Sequence, residues 1–190
     1  MSEIARRRRR TDADRSAGAI LRAAKEILAV RPHAHVEEIA AAASVSRQTV
    51  YAHFRSREGL VSAVIDAIAE EATSEMDAAR LDEGPATDAL LRLLDASWRT
   101  AQRYSVLLST PDVSPRADRL RHIPVHDQLT RVLTRGQAAG EFTTELSAGW
   151  LATAIVSIGH AAGEAFATGR MTFPAAVDTL AATALRICRP

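Results

Sequence analysis

The side chains best suited to chemistry lie between residues 47 and 53, and that chemistry is hydrogen bonding to a nucleic acid. Arg47 can donate two hydrogen bonds to guanine O6 and N7, Gln48 can pair with adenine N6 and N7, and Thr49 can contact a thymine methyl group or a phosphate. On a helix, Val50 and Phe54 lie four residues apart and face inward together, which leaves the polar side chains outward. The pattern predicts a short helix that enters the DNA major groove.

Two further elements must position this helix. Ser46 occupies the N-cap position, where its hydroxyl can accept a hydrogen bond from the amide of Gln48 or Thr49. Upstream, apolar residues at helical spacing predict another short helix, with an inward face of Val36, Ile39, Ala40 and Ala43. The pattern breaks at residues 42–45, which indicates a tight turn. Residues 35–54 are therefore predicted to form a helix-turn-helix.

This segment resembles the DNA-binding core of the tetracycline-repressor (TetR) family. The matching residues cover both helices and the start of the next one: Val36, Ile39, Ala40, Ala43, Val45, Ser46, Thr49, Val50, Tyr51, Phe54, Ser56, Arg57 and Leu60. Two positions depart from the family. Ser44 occupies a turn position that is usually Gly, because the backbone there needs a positive φ. His35 stands where members often have a Thr that caps the first helix of the motif.

The resemblance implies how the motif binds DNA. The first turn of the second helix makes the base contacts, and residues farther along contact phosphates and fix the register. The DNA-binding residues expected in this motif are Ser46, Arg47, Gln48, Thr49, Tyr51, His53 and Arg57. For Tyr51, partial packing against the first helix of the chain is the alternative.

Five consecutive arginines, Arg6 to Arg10, precede the motif. Residues 1–11 are predicted to form a disordered basic arm that follows phosphates or enters the minor groove, with Arg8, Arg9 and Arg10 as DNA contacts. An idle, solvated tail is the alternative. Residues 1–60 contain twelve Arg and Lys against seven Asp and Glu, whereas the whole chain has 24 against 23. We therefore expect the basic N-terminal part, and not the acidic remainder, to meet the polyanion.

Helical spacing continues along the chain and no run alternates as a strand would, so the fold class is predicted to be all-α, with about nine helices. Outside the motif, helices are expected at 14–30, 56–76, 86–108, 116–122, 125–139, 145–168 and 174–188. Asp14 or Ser16 is expected to cap the first of these, and Gly140 to end the fifth. The expected domains are a DNA-binding domain at 12–60, linked through residues 56–76, and a ligand-binding and dimerisation domain at 61–190.

Composition and motifs indicate in which cellular compartment the protein is found. Cys188 is the single cysteine, which excludes an internal disulfide and fits a reducing cytosol. The N-terminal arginines are not followed by the apolar stretch of a secretory signal. The most apolar stretch, 146–163, contains many small and several polar residues, so a buried interface helix is favoured over a membrane span. A cytoplasmic location is expected.

No arrangement of residues predicts catalysis, a metal site or a cofactor. Pro124 lies between His122 and His126 and breaks the helix face that a metal would need. His33 and His35 have no Cys or acidic partner at metal-ligand spacing. The sequence also lacks a phosphate-cradling glycine-rich loop and an activated nucleophile. The chain is therefore not expected to be an enzyme.

The C-terminal part could hold a small-molecule cavity of mostly apolar lining with a few polar groups. The candidate lining residues are Trp98, Tyr104, Phe142, Trp150, His160 and Phe166, and ordinary core packing is the alternative for each. The last two helices are expected to form a four-helix interface with those of a second copy, because paired reading helices need two-fold symmetry. Packing within one chain is the alternative.

Together these features predict a homodimeric, sequence-specific regulator of transcription of the TetR type. It is expected to act as a repressor that binds a palindromic operator in double-stranded DNA and is released by a small-molecule effector. The alternative is a helical ligand- or partner-binding protein whose DNA-binding head is vestigial. A vestigial head predicts weak binding that is blind to sequence and lost with salt.

Overall fold

The computed structural model describes residues 3–108 and 123–190, and for residues 3–13 it describes the backbone alone. Over these residues the chain forms helices and no strand, as predicted. The helices are α1 (Glu3–Val30), α2 (Val36–Ala42), α3 (Arg47–Phe54), α4 (Arg57–Asp77), α5 (Ala86–Arg103), α6 (Ser105–Leu108), α7 (Ile123–Ala138), α8 (Ala148–Ala167) and α9 (Phe173–Ile187). The helix predicted at 116–122 lies outside the described residues.

The chain divides into two compact units. The first, here called the head, comprises Met1–Ile68 with Val106–Thr110, and the second, here called the body, comprises Ala69–Ser105 with Pro111–Pro190. Helix α4 runs through the boundary at Ile68 without interruption.

In the head, helices α1, α2 and α3 each contact the other two. Their apolar faces meet in a small core whose larger members are Ile20, Leu28, Ile39 and Val50, each with at most 1% of its surface exposed. The helical spacing in the sequence had placed Ile39 and Val50 on inward faces. Burying them is what fixes α3 against its neighbours.

Helix α1 begins earlier than the sequence predicts. The expected start was a cap at Asp14 or Ser16, behind a disordered arm, but α1 extends back to Glu3 and takes in the arginines. Alanine and arginine are both strong helix formers, and the acids at Asp12 and Asp14 lie one helical turn after two of the arginines. The end at Val30, just before Pro32, agrees with the prediction.

In the body, α8 packs against α7 and α9, and α5 packs against the same two helices. The core is aliphatic and includes Leu90, Leu93, Leu133, Leu151 and Ile155, each at most 1% exposed. This agrees with the core expected from a composition that is 47% hydrophobic but only 4% aromatic. Cys188 is buried in the same cluster, and burial raises the pKa of its thiol to about 11.

Side-chain caps set several boundaries that spacing alone misplaced by a few residues. Helix α8 starts at Ala148 rather than 145 because the Ser147 hydroxyl accepts a hydrogen bond from the Trp150 amide at 3.2 Å. The Thr172 hydroxyl caps α9 in the same way. The helix predicted over 86–108 is broken at Tyr104, whose buried side chain is 4% exposed and whose backbone leaves the helical region.

The loop before α8 also caps α5. The carboxylate of Glu141 accepts hydrogen bonds from the amides of Ala86 and Thr87 at 2.9 and 3.0 Å, which satisfies two free donors at the start of α5. These bonds lower the pKa of the Glu141 carboxyl. Gly140 ends the preceding helix with φ of +72°, as predicted.

Candidate nucleic-acid interface

The turn between α2 and α3 depends on Ser44, which adopts the left-handed conformation with φ of +56°. The amide of Val45 bonds the Ala40 carbonyl at 2.9 Å, and the amide of Ser44 bonds the Ala41 carbonyl at 3.0 Å. This pair of bonds is the Schellman ending of a helix, in which glycine usually occupies the left-handed position. The turn therefore keeps the geometry that the resemblance implied. Ser44 is strained there, because its Cβ atom comes close to the backbone in a conformation that glycine adopts freely.

Ser46 caps α3 as predicted, and the choice left open between two amides is resolved. Its hydroxyl oxygen accepts from the Thr49 amide at 3.1 Å and lies 2.8 Å from the Thr49 hydroxyl. Val50, one position farther along, is 1% exposed and anchors the helix to the head core. The cap and the anchor together fix the start of α3, which holds the candidate base-reading residues.

A carboxylate takes part in capping the start of α2. Glu38 accepts a hydrogen bond from the His35 amide at 3.1 Å, and its other oxygen pairs with the Arg31 guanidinium at 2.6 Å. The backbone bond first, and then Arg31, lowers the pKa of the Glu38 carboxyl. The glutamate at the third position of the helix thus supplies the carboxylate half of a capping box.

Arg47 is held by two neighbours that sequence reasoning did not connect to it. Its Nη1 atom lies 2.7 Å from a carboxylate oxygen of Glu37, which belongs to α2. Its guanidinium also lies over the ring of Tyr51, 5.3 Å from the centroid, one turn along α3. Interaction with the Tyr51 side chain, followed by the charge of Glu37, raises the pKa of Arg47. Arg47 nevertheless remains exposed, so its other donors face solvent.

The other candidate residues of α3 differ in exposure. Gln48 is exposed, whereas Thr49, Tyr51 and His53 are partly buried. The His53 ring packs near the Phe54 ring, with 6.1 Å between centroids. Arg47 and Gln48 are therefore the two exposed candidates for base reading, while Thr49, Tyr51 and His53 combine packing with partial exposure.

Arg57, expected to contact a phosphate, also has a role inside the head. Its Nη2 atom donates to the Pro32 carbonyl oxygen at 2.6 Å, which ties the start of α4 to the loop between α1 and α2. The neighbouring Ser56 hydroxyl accepts from the Gly59 amide at 3.0 Å and caps α4. A guanidinium has five donors, so a phosphate contact by Arg57 is compatible with this bond.

The arginine arm is described only in part. The backbone of Arg8, Arg9 and Arg10 lies in α1, but their side chains lie outside the described part of the structure. Their contact with DNA therefore stays a prediction.

In the body, the candidate pocket residues separate into different environments. Trp98 and Phe166 both pack on Phe173, with ring centroids 5.7 and 5.5 Å apart respectively. Phe173 was not singled out from the sequence, although its place at the start of α9 brings it between the two rings. These three rings form the aromatic cluster of the body.

Tyr104 belongs to a polar cluster between α4 and α5. Its hydroxyl donates to a Glu71 carboxylate oxygen at 3.1 Å, and Arg103 pairs with the same carboxylate. Thr100, only 2% exposed, donates to the Glu75 carboxylate at 2.9 Å. Glu71 and Glu75 lie one turn apart on α4, so both face α5. The sequence shows their spacing, but only the structure shows which helix they meet.

The remaining pocket candidates are spread over the body. Phe142 is 4% exposed and packs on Gly136, where a Cβ atom would come within 2.1 Å of its ring, so it is a core residue. Trp150 is 62% exposed, and His160 is also exposed. The six candidates thus differ in environment, and a ligand pocket among them stays a prediction. A cavity of about 160 Å³ lies elsewhere, lined by Asp77, Arg80, Leu81, Asp82, Glu83, Gln128 and Arg131.

Two kinds of feature are absent from the described residues. Among them, no group of three or more His, Cys, Asp or Glu side chains is arranged to hold a metal ion. No described helix is both long enough and apolar enough to cross a membrane.

Comparison with known proteins identifies the head. Residues 20–64, which cover the later part of α1 and all of α2 and α3, match the family model of bacterial regulatory proteins of the tetR family. No curated protein matches the chain at a significant level.

Similar solved structures extend over nearly the whole chain. LfrR from Mycobacterium smegmatis in complex with proflavine is 24% identical with a TM-score of 0.66, covering 93% of this chain and 98% of that one. FadR from Bacillus halodurans, a fatty acid degradation regulator, is 16% identical with a TM-score of 0.75, covering 89% and 94%. PfmR from Thermus thermophilus is 21% identical with a TM-score of 0.64, covering 89% and 96%. At these identities the likeness defines the fold.

The helix-turn-helix and the family match over the head define the class of protein as a DNA-binding regulator of transcription. Residues 20–64 thus match the DNA-binding domain of the tetR family, and the chain shares the fold of solved TetR-like regulators.

Proposed function

We propose that the chain is a homodimeric repressor that binds a two-fold symmetric operator through α3 and is released by a small-molecule effector. One observation carries the DNA-binding part of this proposal. The capped and anchored helix α3 presents Arg47 and Gln48 as exposed side chains, and these are the residue types that recognise guanine and adenine in the major groove.

The phosphate contacts proposed around this reading pair supply affinity without sequence information. They comprise Ser46, Thr49, Tyr51, His53 and Arg57 on the head, and Arg8, Arg9 and Arg10 at the start of α1. The head is rich in arginine, with twelve Arg and Lys against seven Asp and Glu in residues 1–60. Binding should therefore weaken steeply with salt as neutralised phosphates regain their counterions.

The dimer is proposed to form through α8 and α9. Trp150 is 62% exposed and Leu146, just before α8, is 43% exposed, which is unusual for large apolar side chains. Along α8, Cβ atoms built on Gly149 and Gly163 meet nothing within 4 Å, so a second backbone could approach closely there. A two-fold pairing of this surface would give the two reading heads that a palindromic site requires.

The effector is proposed to bind in the body. LfrR, which has the same fold, was solved in complex with proflavine, and this supports a small organic molecule as the class of ligand. In this chain the aromatic cluster of Trp98, Phe166 and Phe173 offers apolar contact area, and the polar cluster around Glu71 and Tyr104 offers acceptors and a donor. Because α4 continues from the body into the head, it is the proposed route by which a ligand alters DNA binding.

Selection from a library of random DNA duplexes tests the DNA-binding proposal. The full chain should enrich a motif with two-fold symmetry, and binding to that motif should exceed binding to unrelated duplexes about 1,000-fold or more. The rival function, a ligand-binding protein with a vestigial head, predicts no converged motif and equal, salt-sensitive binding to all duplexes. A regulator of this kind acts on chromosomal DNA, so we propose a cytoplasmic location.

A thermal-shift screen of metabolites and drugs tests the effector part. A ligand that binds only the folded state raises the melting temperature, by an amount that grows with its concentration over Kd. A true effector must also lower the affinity for the selected operator, since the two binding events are then linked with opposite sign.

A further inference from the structure

We propose that Glu37 determines specificity by holding Arg47 for guanine recognition and by penalising binding to other sequences. This inference rests on the proposed function, in which Arg47 reads a base. Nothing in the family match assigns a role to this position.

The contacts hold Arg47 in place but leave several of its hydrogen-bond donors available. Glu37 lies in the first turn of α2, which Val36 and Ile39 anchor in the head core at 4% and 1% exposure. Its carboxylate takes one donor of the guanidinium, on Nη1, at 2.7 Å. The ring of Tyr51 covers one face of the guanidinium. A guanidinium has five donors in a rigid fork, so enough remain for the two parallel bonds that guanine accepts.

The pair is poorly explained as a device for stability. The side chains of Arg47 and Glu37 are 60% and 54% exposed, and exposed ion pairs contribute little to folding. A carboxylate beside a base-reading arginine is, moreover, unfavourable for DNA affinity, because it adds a negative charge close to the phosphates. A feature that costs affinity and adds little stability is best accounted for by discrimination, which repulsive elements commonly provide.

In the proposed mechanism, Glu37 and Tyr51 hold the guanidinium, and the matching guanine accepts hydrogen bonds from its remaining donors. On DNA without the matching guanine, Arg47 stays with Glu37 and Tyr51, so it contributes little to phosphate binding while the carboxylate repels the backbone. At the matching guanine, the held fork gains two hydrogen bonds and loses less conformational entropy than a free side chain would. Glu37 is thus a positioning residue, because it acts on DNA through Arg47.

The test uses the full chain and its selected operator. Dissociation constants are measured for three duplexes at matched salt: the operator, the operator with the guanine read by Arg47 replaced, and an unrelated sequence. The proteins are wild type, Glu37→Gln, Glu37→Ala, Arg47→Ala and the double variant Glu37→Ala with Arg47→Ala. Glu26→Gln, on exposed α1 surface of the same head, removes the same charge away from Arg47 and serves as the control.

We expect Glu37→Gln and Glu37→Ala to bind the unrelated duplex about threefold to tenfold more tightly, since a negative charge is removed. Discrimination at the guanine should fall about fivefold or more, with an unchanged melting temperature. In the Arg47→Ala background the Glu37 substitution should leave discrimination unaltered, because the two residues act as one unit. Glu26→Gln should leave discrimination at the wild-type value.

Two results would overturn the inference, and they differ in what else they overturn. If Arg47→Ala abolishes discrimination but both Glu37 variants keep it, the role of Glu37 is wrong while the proposed base reading stands. If Arg47→Ala itself leaves discrimination unchanged, the proposed base reading is wrong and the role of Glu37 falls with it.

Discussion

Gly59 lies so close to the Phe54 carbonyl that a Cβ atom at position 59 would be 2.2 Å from the oxygen. The contact joins the first turn of α4 to the end of α3, where Arg55 takes a positive φ of 63° and the Ser56 amide bonds the Phe54 carbonyl at 2.7 Å. A three-residue turn of this kind leaves no room for a side chain on the next helix. The placement of the reading helix therefore depends on a glycine in the helix that follows it.

Gly59→Ala should destabilise the head, because a backbone oxygen cannot swing aside as a flexible side chain does. The expected loss is about 1–3 kcal/mol of unfolding free energy, typical of overpacking, measured by chemical denaturation. Gly18→Ala is the matched control, since the nearest atom to its Cβ is the end of Arg22 at 3.8 Å. That control should gain about 0.5–1 kcal/mol from the loss of a helix glycine. Equal stability of the two variants would contradict the close contact.

Ser44→Gly should stabilise the chain, which is the reverse of the usual effect of adding a glycine. The left-handed conformation costs a non-glycine residue about 1–2 kcal/mol, and glycine removes this cost. Glycine also makes the unfolded chain more flexible, which offsets part of the gain in stability. A net gain of about 0.5–1 kcal/mol is expected in the unfolding free energy. Ser44→Val, which adds a branched Cβ at the same φ, should lose stability. A loss of stability in Ser44→Gly would show that the turn is not left-handed.

Glu141→Gln should make the protein less stable at neutral pH and less sensitive to acid. Hydrogen bonds from the Ala86 and Thr87 amides depress the pKa of Glu141 in the folded chain below the ordinary value of 4.5. The stabilisation that the Glu141 carboxylate provides is therefore fully present above about pH 4.5, and it is lost as the pH falls through the lower pKa of the folded chain. Denaturation of wild type and variant at pH 7 and in acid should show a difference that shrinks on acidification. Exposed Glu145, changed to Gln, is the control, and a similar pattern there would undermine the role of Glu141.

Trp150→Ala should weaken the proposed dimer, since an exposed tryptophan at an interface commonly contributes a large share of the binding energy. We expect the dissociation constant of the dimer, measured by analytical ultracentrifugation, to rise about tenfold or more. Val30→Ala removes an even more exposed apolar side chain, 71% against 62%, from the head and should leave association unchanged. A dimer insensitive to Trp150 would place the interface elsewhere.

Local signals in the sequence were sufficient for much of the head. The spacing of Ile39 and Val50 predicted the inward faces, and Ser46 predicted the start of α3, because capping depends on residues within one turn. Ser44 was identified as the critical turn position from the family pattern, and its φ bears this out. These features are short-range, so one sequence contains the information that determines them.

What escaped prediction depends on contacts between distant segments. The pairing of Glu37 with Arg47, the cap that Glu141 places on α5, and the packing of Trp98 on Phe173 each join separate elements of the structure. Periodicity can say which face of a helix is apolar, but not which helix it meets. The break at Tyr104 was missed for the same reason, because its buried side chain contacts α4 through Glu71.

The most direct test of sequence reading by α3 compares the motifs selected from random duplexes by wild type and by Arg47→Ala. Arg99→Ala, which removes the same charge from an exposed position of α5, serves as the control. Arg47→Ala should lose about 1–3 kcal/mol of specific binding and relax one base pair in each half-site, while Arg99→Ala should keep the wild-type motif. If Arg47→Ala selects the wild-type motif with undiminished preference at every position, α3 does not read DNA through Arg47.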